Sequence, residues 1–536
     1  MSNQSKIFRK VPVEVQNRSG FDESFEHILT QTVGTLVPLL CVECVPNQRI
    51  SLGVFGQVAL PPMATDFYGR VDYCLEAFWV PGRLLYGGFE DVFTHEEGAP
   101  APAGFSIGPS FMPGAKVSYT ATTFKALMGA GSLADYLGFK VGYNNANPDI
   151  TIPNFLPWVG YHRIYDEFYR DSRIQTPVFY KRTTGNISPS TGNYISQLPW
   201  VTGSTSAAQP IITASGFTLV DGTNALSLRQ RNYGKDRFTN ATYEPQQGNP
   251  ATLQFAVSGT SGSFTIGSFL AAYGLDQWKR KMNISGRYGD QQFADWGCYP
   301  ESYFCDRPVF LGSHRFGIYN KSVYQTSQDV GATTATPFVG VGSKYGSPVG
   351  VSDGSLIKDF TTSERGYLYV IGSVVPHAVY STGVDPMFMR YRVGDFANPN
   401  FQILGDEPIY GYELSESASD LTTPSVFGYT QRFSAYKYQN DKVSGLVRDG
   451  ESLSAFALKR SFASAPTLST SFLQIPITAL DEVAASTSAL PSTFGAWSDF
   501  YFKFHTSMPL SAYTIPTLGM KKDTHTKMVE SGGVRL

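Results

Sequence analysis

The sequence predicts a mainly β protein, a single sandwich that carries long insertions. Three observations predict it. Charged residues make up 16% of the 536 residues while aromatics make up 14%, with 52 Gly and 33 Pro, a composition of strands and tight turns rather than of a disordered chain. Residues 70–80 (RVDYCLEAFWV) alternate, with Val71, Tyr73, Leu75, Ala77 and Trp79 on one side and Asp72, Cys74, Glu76 and Phe78 on the other, the period of a strand. And although the length alone suggests three or four domains, no internal repeat or inter-domain linker interrupts the chain.

Taken in order, residues 1–25 read as a polar, extended arm. Residues 33–60 read as two strands around a turn at Pro46-Asn47, followed by the alternating strand 70–80, which Pro81 stops. LLYGGFEDVF then has the look of a short helix, and a Pro/Gly-rich loop covers 98–114. Residues 122–139 read as helical, with Ser132 suited to an N-cap. Residues 183–263 turn rich in Gly, Ser, Thr and Asn. A structureless loop of that length does not suit a compact domain, so they are expected to be a surface insertion with short strands of its own. Residues 264–297 read as helix, bend, helix; 308–328 as a strand pair; 330–363 as a second Gly/Ser-rich loop; 365–381 as a clear strand; and 425–438 as another.

One segment departs from the β pattern. In NFLPWVGYHRIYDEFYRDSRIQT (154–176), Tyr161, Ile164, Tyr165 and Phe168 recur at helical spacing, with Trp158 ahead of them, while Arg163, Asp166, Glu167, Arg170 and Asp171 fall on the other face. Pro157 suits a first turn and Pro177 blocks continuation. Asp166 and Arg170 stand in the favourable i,i+4 order. Burying the aromatic face contributes roughly 1.5–3 kcal/mol per side chain, so this helix has a large partner surface, either the core of its own subunit or a neighbouring one.

Chemistry candidates are weak. Cys41-Val-Glu-Cys44 has no second CxxC, and on a strand its cysteines point to opposite faces. Gly350-Val-Ser352-Asp-Gly354 matches G-x-S-x-G but lies in the predicted loop, without the strand-to-helix context of a nucleophile elbow. Ser434-Ala-Tyr-Lys437 matches S-x-x-K on a predicted strand. Gly340-Val-Gly342 lacks the spacing of a dinucleotide motif. Asp91 and His95 lack a third metal ligand, and Glu96-Glu97 read as solvated. No catalytic residue, metal or cofactor is expected. An odd number of cysteines (five) and a start without an apolar leader suggest free thiols made in a reducing cytoplasm, and no apolar run is long enough for membrane insertion.

The formal net charge is −2, so nothing global marks a nucleic-acid binder. Basic residues cluster at Lys6, Arg9, Lys10 and Arg18, at Lys279, Arg280, Lys281 and Arg287, and at Lys521, Lys522 and Lys527. Each cluster is open to reading as a solvated face, an interchain pairing surface or a phosphate contact. Composition alone also allows a β-sandwich binding or fibre protein; a hydrolase would need Ser352 on an elbow.

Several stretches in order resemble the major capsid proteins of the Microviridae, small icosahedral single-stranded DNA bacteriophages, and most of all their gokushovirus-like branch. They are Phe21-Asp22 with ILTQTVGTLVPLLCVECVPNQRISL, EAFWVPGRLLYGGFEDV, LPWVGYHRIYDEFYRDSRIQ, RYGDQQFADWG, RPVFLGSHRFGIYNKSVYQTS, GYLYVIGSVVPHAVYSTGVDPMFMRYRVGDF and VFGYTQRFSAYKYQNDKVSGLVRDG. The resemblance implies a viral jelly roll, an eight-stranded antiparallel β-sandwich, spanning 1–536 with loop and helix insertions. It implies a T=1 icosahedral shell of sixty copies around a circular single-stranded DNA genome, assembled in the host bacterial cytoplasm. The implied partners are other copies of the chain, the DNA, a small basic DNA-binding protein, other minor virion proteins and a host cell surface receptor. Residues 183–263 would be the protrusion used in host attachment. Lys6, Arg9, Lys10, Lys279, Arg280 and Lys281 would contact nucleic acid, and Trp158, Tyr161, Ile164, Tyr165 and Phe168 would form a packing helix over the sandwich or a neighbour.

Overall fold

The computed structural model describes residues 18–63, 67–86, 89, 112–140, 149–179, 211–212, 217–245, a few positions between 270 and 298, and then 307–324, 344–415, 417–484 and 495–510. The chain opens with β1 (Ser19–Asp22), β2 (Phe25–Gln31), β3 (Thr35–Cys44), β4 (Arg49–Ala59) and β5 (Val71–Pro81). A first insertion holds β6 (Gly114–Ser118), β7 (Asp149–Ile152), β8 (Ile211–Ile212) and β9 (Arg229–Gln230), together with the helices α1 (Ala121–Met128), α2 (Leu133–Tyr136) and α3 (Leu156–Ile164). β10 (Val309–Tyr324), β11 (Lys344–Thr361) and β12 (Gly366–Pro376) follow. A second insertion carries β13 (Glu407–Tyr410) and β14 (Val426–Thr430), and β15 (Ala496–Met508) closes the sheet.

The pairing is nested and antiparallel: β5 with β10, β4 with β11, β3 with β12, β2 with β15. Lateral pairs β15–β4 and β12–β5 arrange these as two layers, β2–β15–β4–β11 and β10–β5–β12–β3. Successive nested pairs alternate between layers, as in a long hairpin rolled on itself, which is the jelly roll. The layers join where Tyr319–Tyr324 of β10 pairs with Lys344–Val349 of β11.

Between the layers, Leu52, Val54 and Val58 of β4 and Phe500, Phe502 and Phe504 of β15 bury against Tyr73, Leu75, Ala77 and Trp79 of β5 and Leu368, Val370 and Val374 of β12. The Tyr73 and Phe500 rings meet across the gap at 5.3 Å. The turn predicted at Pro46-Asn47 joins β3 to β4, with Asn47 at φ 60°, a left-handed conformation that asparagine tolerates.

The alternation along β5 is real, but neither side faces water. Its odd positions enter the sandwich core, whereas Phe78 and Val80 enter a second core with Leu36, Tyr369, Ile371 and the residues of α3. Every residue of β12 is buried. The second layer therefore has the sandwich on one face and the first insertion on the other.

Three expectations are corrected. Of the strand pair expected over 308–328, the described residues form one long strand, Val309–Tyr324, and residues 344–361 of the expected 330–363 loop are a strand. The glycines that suggested a loop serve close approach of a neighbouring strand instead: a Cβ on Gly350 would lie 2.9 Å from the Gly317 carbonyl, and one on Gly354 2.7 Å from the His314 ring. The strand expected over 425–438 ends at Thr430, Phe433 takes φ 60°, and Ser434–Lys437 form a helical turn. Of 264–297, residues 270, 272–275, 277, 292 and 293 are helical and the others lie outside the described residues.

α3 lies close on β12 because Gly160 has no side chain: a Cβ there would sit 2.2 Å from Tyr369 Oη, which itself donates to the Pro157 carbonyl at 2.9 Å. Gly160→Ala is expected to lower stability by about 1–3 kcal/mol through overpacking, read as a reduced midpoint in denaturant unfolding of the soluble subunit.

Candidate assembly surfaces

Leu156–Ile164 is α-helical and passes into a π-helical turn over Tyr165–Tyr169. Pro157 occupies the first turn, as its missing N–H favours. Trp158 stacks on Phe155, with centroids at 5.3 Å, and meets Phe139 edge-on. Tyr161 is fully buried; its hydroxyl donates to the Leu36 carbonyl and accepts from Arg229 N–H, both at 2.8 Å. Ile164 and Tyr165 are buried beside it, and Phe168 tilts against Phe78 at 4.9 Å. The partner surface is thus the outer face of the second layer of the same subunit.

The opposite side of the helix is not solvated either. Arg163, Asp166, Arg170 and Asp171 are all under a tenth exposed. Arg170 Nε donates to Asp166 Oδ1 at 2.6 Å, and the same oxygen accepts from Val178 N–H at 3.1 Å. Asp171 accepts from Arg173 and Lys235. Burial raises its pKa, but these two cations outweigh it and hold the carboxyl at about 2. His162 is enclosed, its Nδ1 facing Arg229 Nε at 3.0 Å and its Nε2 the Ala225 carbonyl at 2.7 Å. Arg229 Nε can only donate, so the imidazole is neutral with its proton on Nε2; burial and the adjacent guanidinium lower its pKa. Arg229 also pairs with Asp221 and covers the Tyr165 ring at 4.7 Å. Glu76, on the outer face of β5, receives Arg231 at 2.6 and 3.0 Å. Sequence patterning gave the Asp166–Arg170 pair but missed Lys235 and Arg231, which lie far along the chain from Asp171 and Glu76.

The chemistry candidates resolve into structure. Cys41 and Cys44 are free thiols on one strand, and burial pushes both up to about 12. Ser352 lies within β11, wholly buried, with no helix after it. Ser434 and Lys437 do share a helical turn, contrary to the strand expectation. However, Ser434 Oγ accepts from Arg237 Nε at 2.8 Å and sits 3.1 Å from Glu407 Oε1, while Lys437 Nζ donates to the Arg432 carbonyl, so the lysine is not positioned as its base. Arg237 forms a buried pair with Glu413, whose pKa is raised by burial despite that partner. Among the described residues no three His, Cys, Asp or Glu side chains are placed to hold a metal ion, and no helix is long and apolar enough to cross a membrane. Gly340 and Gly342, Asp91, His95, Glu96 and Glu97 lie outside the described residues, as do Lys6, Arg9, Lys10, Lys279, Arg280, Lys281 and the cluster at 521–527.

Two exposed surfaces stand out instead. The first is a ridge in the second insertion, where Met387, Phe388, Tyr391, Val393, Phe396 and Leu404 are each more than half exposed. The ridge is held by local hydrogen bonds, Asp385 capping Met387 N–H and Asp395 accepting from Arg392 N–H, and Arg390 is seated on the Tyr436 ring at 4.1 Å. The second is the outer face of the first layer, which presents Ile28, Phe55, Val351, Trp497 and Tyr501. Large ordered apolar patches on a folded surface mark where another macromolecule packs. Sequence reading passed over both, since strand and turn residues of this kind look identical whether a neighbour covers them or not.

A jelly roll with a filled core and broad apolar patches turned outward is the build of a structural protein that packs against other macromolecules. The chain belongs to the phage capsid protein (F protein) family, whose model matches residues 9–518. It is 24% identical to capsid protein VP1 of Chlamydia phage 1 and 22% identical to capsid protein VP1 of Bdellovibrio phage phiMH2K, each match covering 95% of this chain and 97% of the relative. The resemblance to gokushovirus-like microvirus capsid proteins is borne out, and the chain is a structural component of the virion, not an enzyme.

Asp171 gives a pH test. Its folded pKa lies below the unfolded value of about 3.9, so its stabilisation is complete above about pH 4 and is lost as pH falls towards 2. Asp171→Asn should therefore be less stable than the parent at pH 6, with the difference shrinking as pH falls through that window, followed by denaturant midpoints. Separately, Glu413→Ala leaves Arg237 buried and unpaired and should cost about 3–5 kcal/mol, seen in the same assay.

Proposed function

We propose that this chain is the major capsid protein whose sixty copies close a T=1 icosahedral shell around a circular single-stranded DNA genome. The observation that carries the reading is the capsid-family match along almost the whole chain, on a jelly roll whose apolar ridge at 387–404 joins no core cluster among the described residues. On this reading the ridge is a contact between copies. Head-to-tail contacts of this kind close rings around symmetry axes, and each would bury about 1,200–2,000 Å². A net charge of −2 leaves the genome largely unneutralised by the shell, so a small basic DNA-binding protein shares that task with Lys6, Arg9, Lys10, Lys279, Arg280 and Lys281. Minor virion proteins and a host receptor complete the partners.

The whole chain is read as one jelly-roll domain with an extended arm at 1–25, of which Ser19–Asp22 pairs with β15. Residues 183–263 are the proposed surface insertion for host attachment. Within them, Phe217, Leu219, Leu226 and Arg229 are buried in the body and β9 pairs with β3. The attachment role therefore falls to the residues before 217 and after 245. Deleting 183–210 should leave particles forming but abolish adsorption to host cells; normal adsorption would remove this segment from the proposal.

The assembly reading is tested on native lysate. Sedimentation after nuclease treatment should place this chain in particles of one size with protected circular single-stranded DNA, and a small oligomer without protected DNA would overturn it. Phe388→Asp and Val393→Asp alter side chains 72% and 79% exposed, so they should leave the subunit folded by circular dichroism yet abolish the particle peak.

A further inference from the structure

The two layers differ in what lies outside them. The first insertion covers the second layer, whereas the outer face of the first layer is open among the described residues. Cross-strand register fixes its pattern. One row runs Glu26, Tyr501, Phe55, Asp353, and the next Ile28, Asp499, Gln57, Val351. An aromatic pair is thus flanked by two carboxylates, and a third carboxylate sits between an isoleucine and a glutamine. Glu26, Phe55, Asp353 and Tyr501 are exposed, and none of the three carboxylates makes an ion pair among the described residues. Lys503 lies one row along on this face. Such a surface repels phosphate and favours a peptide with lysine or arginine beside apolar side chains, through ion pairs and cation–π contacts with Phe55 and Tyr501.

The same chain supplies that chemistry. Residues 6–13 read KIFRKVPV, with Lys6, Arg9 and Lys10 among Ile7, Phe8, Val11 and Val13. The first described residue, Arg18, sits at this layer: its guanidinium donates to the Ser507 carbonyl at 2.7 Å and to Asn47 Oδ1 at 2.8 Å. From Ser507 the patch centre at Tyr501 is six residues back along β15, roughly 20 Å. Lys10 is eight residues ahead of Arg18 and Lys6 twelve, a reach of roughly 26–40 Å in an extended chain. We propose that the outer face of the first layer is the docking surface for residues 6–13 of the same chain, held by Glu26, Asp353 and Asp499 around the Phe55–Tyr501 pair. This goes beyond the capsid reading, because it assigns the arm a seat on the single subunit before any genome or neighbour is present.

The test uses the full chain with a photo-crosslinking benzoylphenylalanine in place of Phe55, an exposed position, as a mixture of nitrogen-14 and nitrogen-15 chains at low salt. The expected result is a crosslink to the peptide containing residues 6–13 with both halves of one isotope. Its yield should fall severalfold in a Lys6→Gln/Arg9→Gln/Lys10→Gln variant, and likewise in Glu26→Gln/Asp353→Asn/Asp499→Asn, whose fold is checked by circular dichroism. Mixed-isotope crosslinks would make the occupant a second copy and overturn the proposal. So would crosslinks to other segments alone, an absence of crosslinks to residues 6–13, or a yield indifferent to the charge changes. The sedimentation experiment above is unaffected by any of these outcomes.

Discussion

The architecture depends on one constraint: the second layer is buried on both faces. A half-exposed antiparallel sheet needs a single apolar face, but β12 must satisfy the sandwich with Leu368, Val370 and Val374 and the insertion with Tyr367, Tyr369 and Ile371. Several of the polar atoms this brings inside are given partners. Tyr369 donates to the helix backbone, Tyr367 accepts from Asn154, and Ser373 accepts from the Arg231 that also neutralises Glu76. The first insertion is thereby part of the subunit's core, and the apolar surface left for other molecules lies on the ridge and the first layer.

Buried charge follows from the same arrangement. Arg229, Arg237, Asp166 and Arg170 are buried, and each is held by a side-chain hydrogen bond as well as by its counter-ion. Pairs of this kind add little net stability over an apolar replacement, but removing one member is costly. They fix which surfaces of the insertions meet the sheet.

Much of this was legible in the sequence. The alternation at 70–80, the Pro46-Asn47 turn, the Ser132 cap and the helical spacing around Tyr161 are local signals, and the structure uses each locally. The Gly/Ser-rich stretch at 344–361 misled because glycine marks both a flexible turn and a strand pressed against its neighbour, and only the surroundings of Gly350 and Gly354 separate the two. The amphipathic helix showed its apolar face but not the burial of its charged one, since Lys235, Arg229 and Asp221 come from distant positions. The ridge was unreadable for the opposite reason: its apolar side chains look like core residues until the fold leaves them outside.

The nested pairing also sets a schedule for synthesis. β15 is the last of the described strands to leave the ribosome, yet it lies inside the first layer, between β2 and β4. Until it arrives, both of those strands offer a bare edge, and Phe500, Phe502 and Phe504 are missing from the core. At about 5–20 residues per second, translation from β4 to β15 takes on the order of half a minute or more. A nascent chain through that interval is incomplete, with strand edges open to pairing with other chains. The closing strand also makes every completed jelly roll one whose translation has run at least through β15.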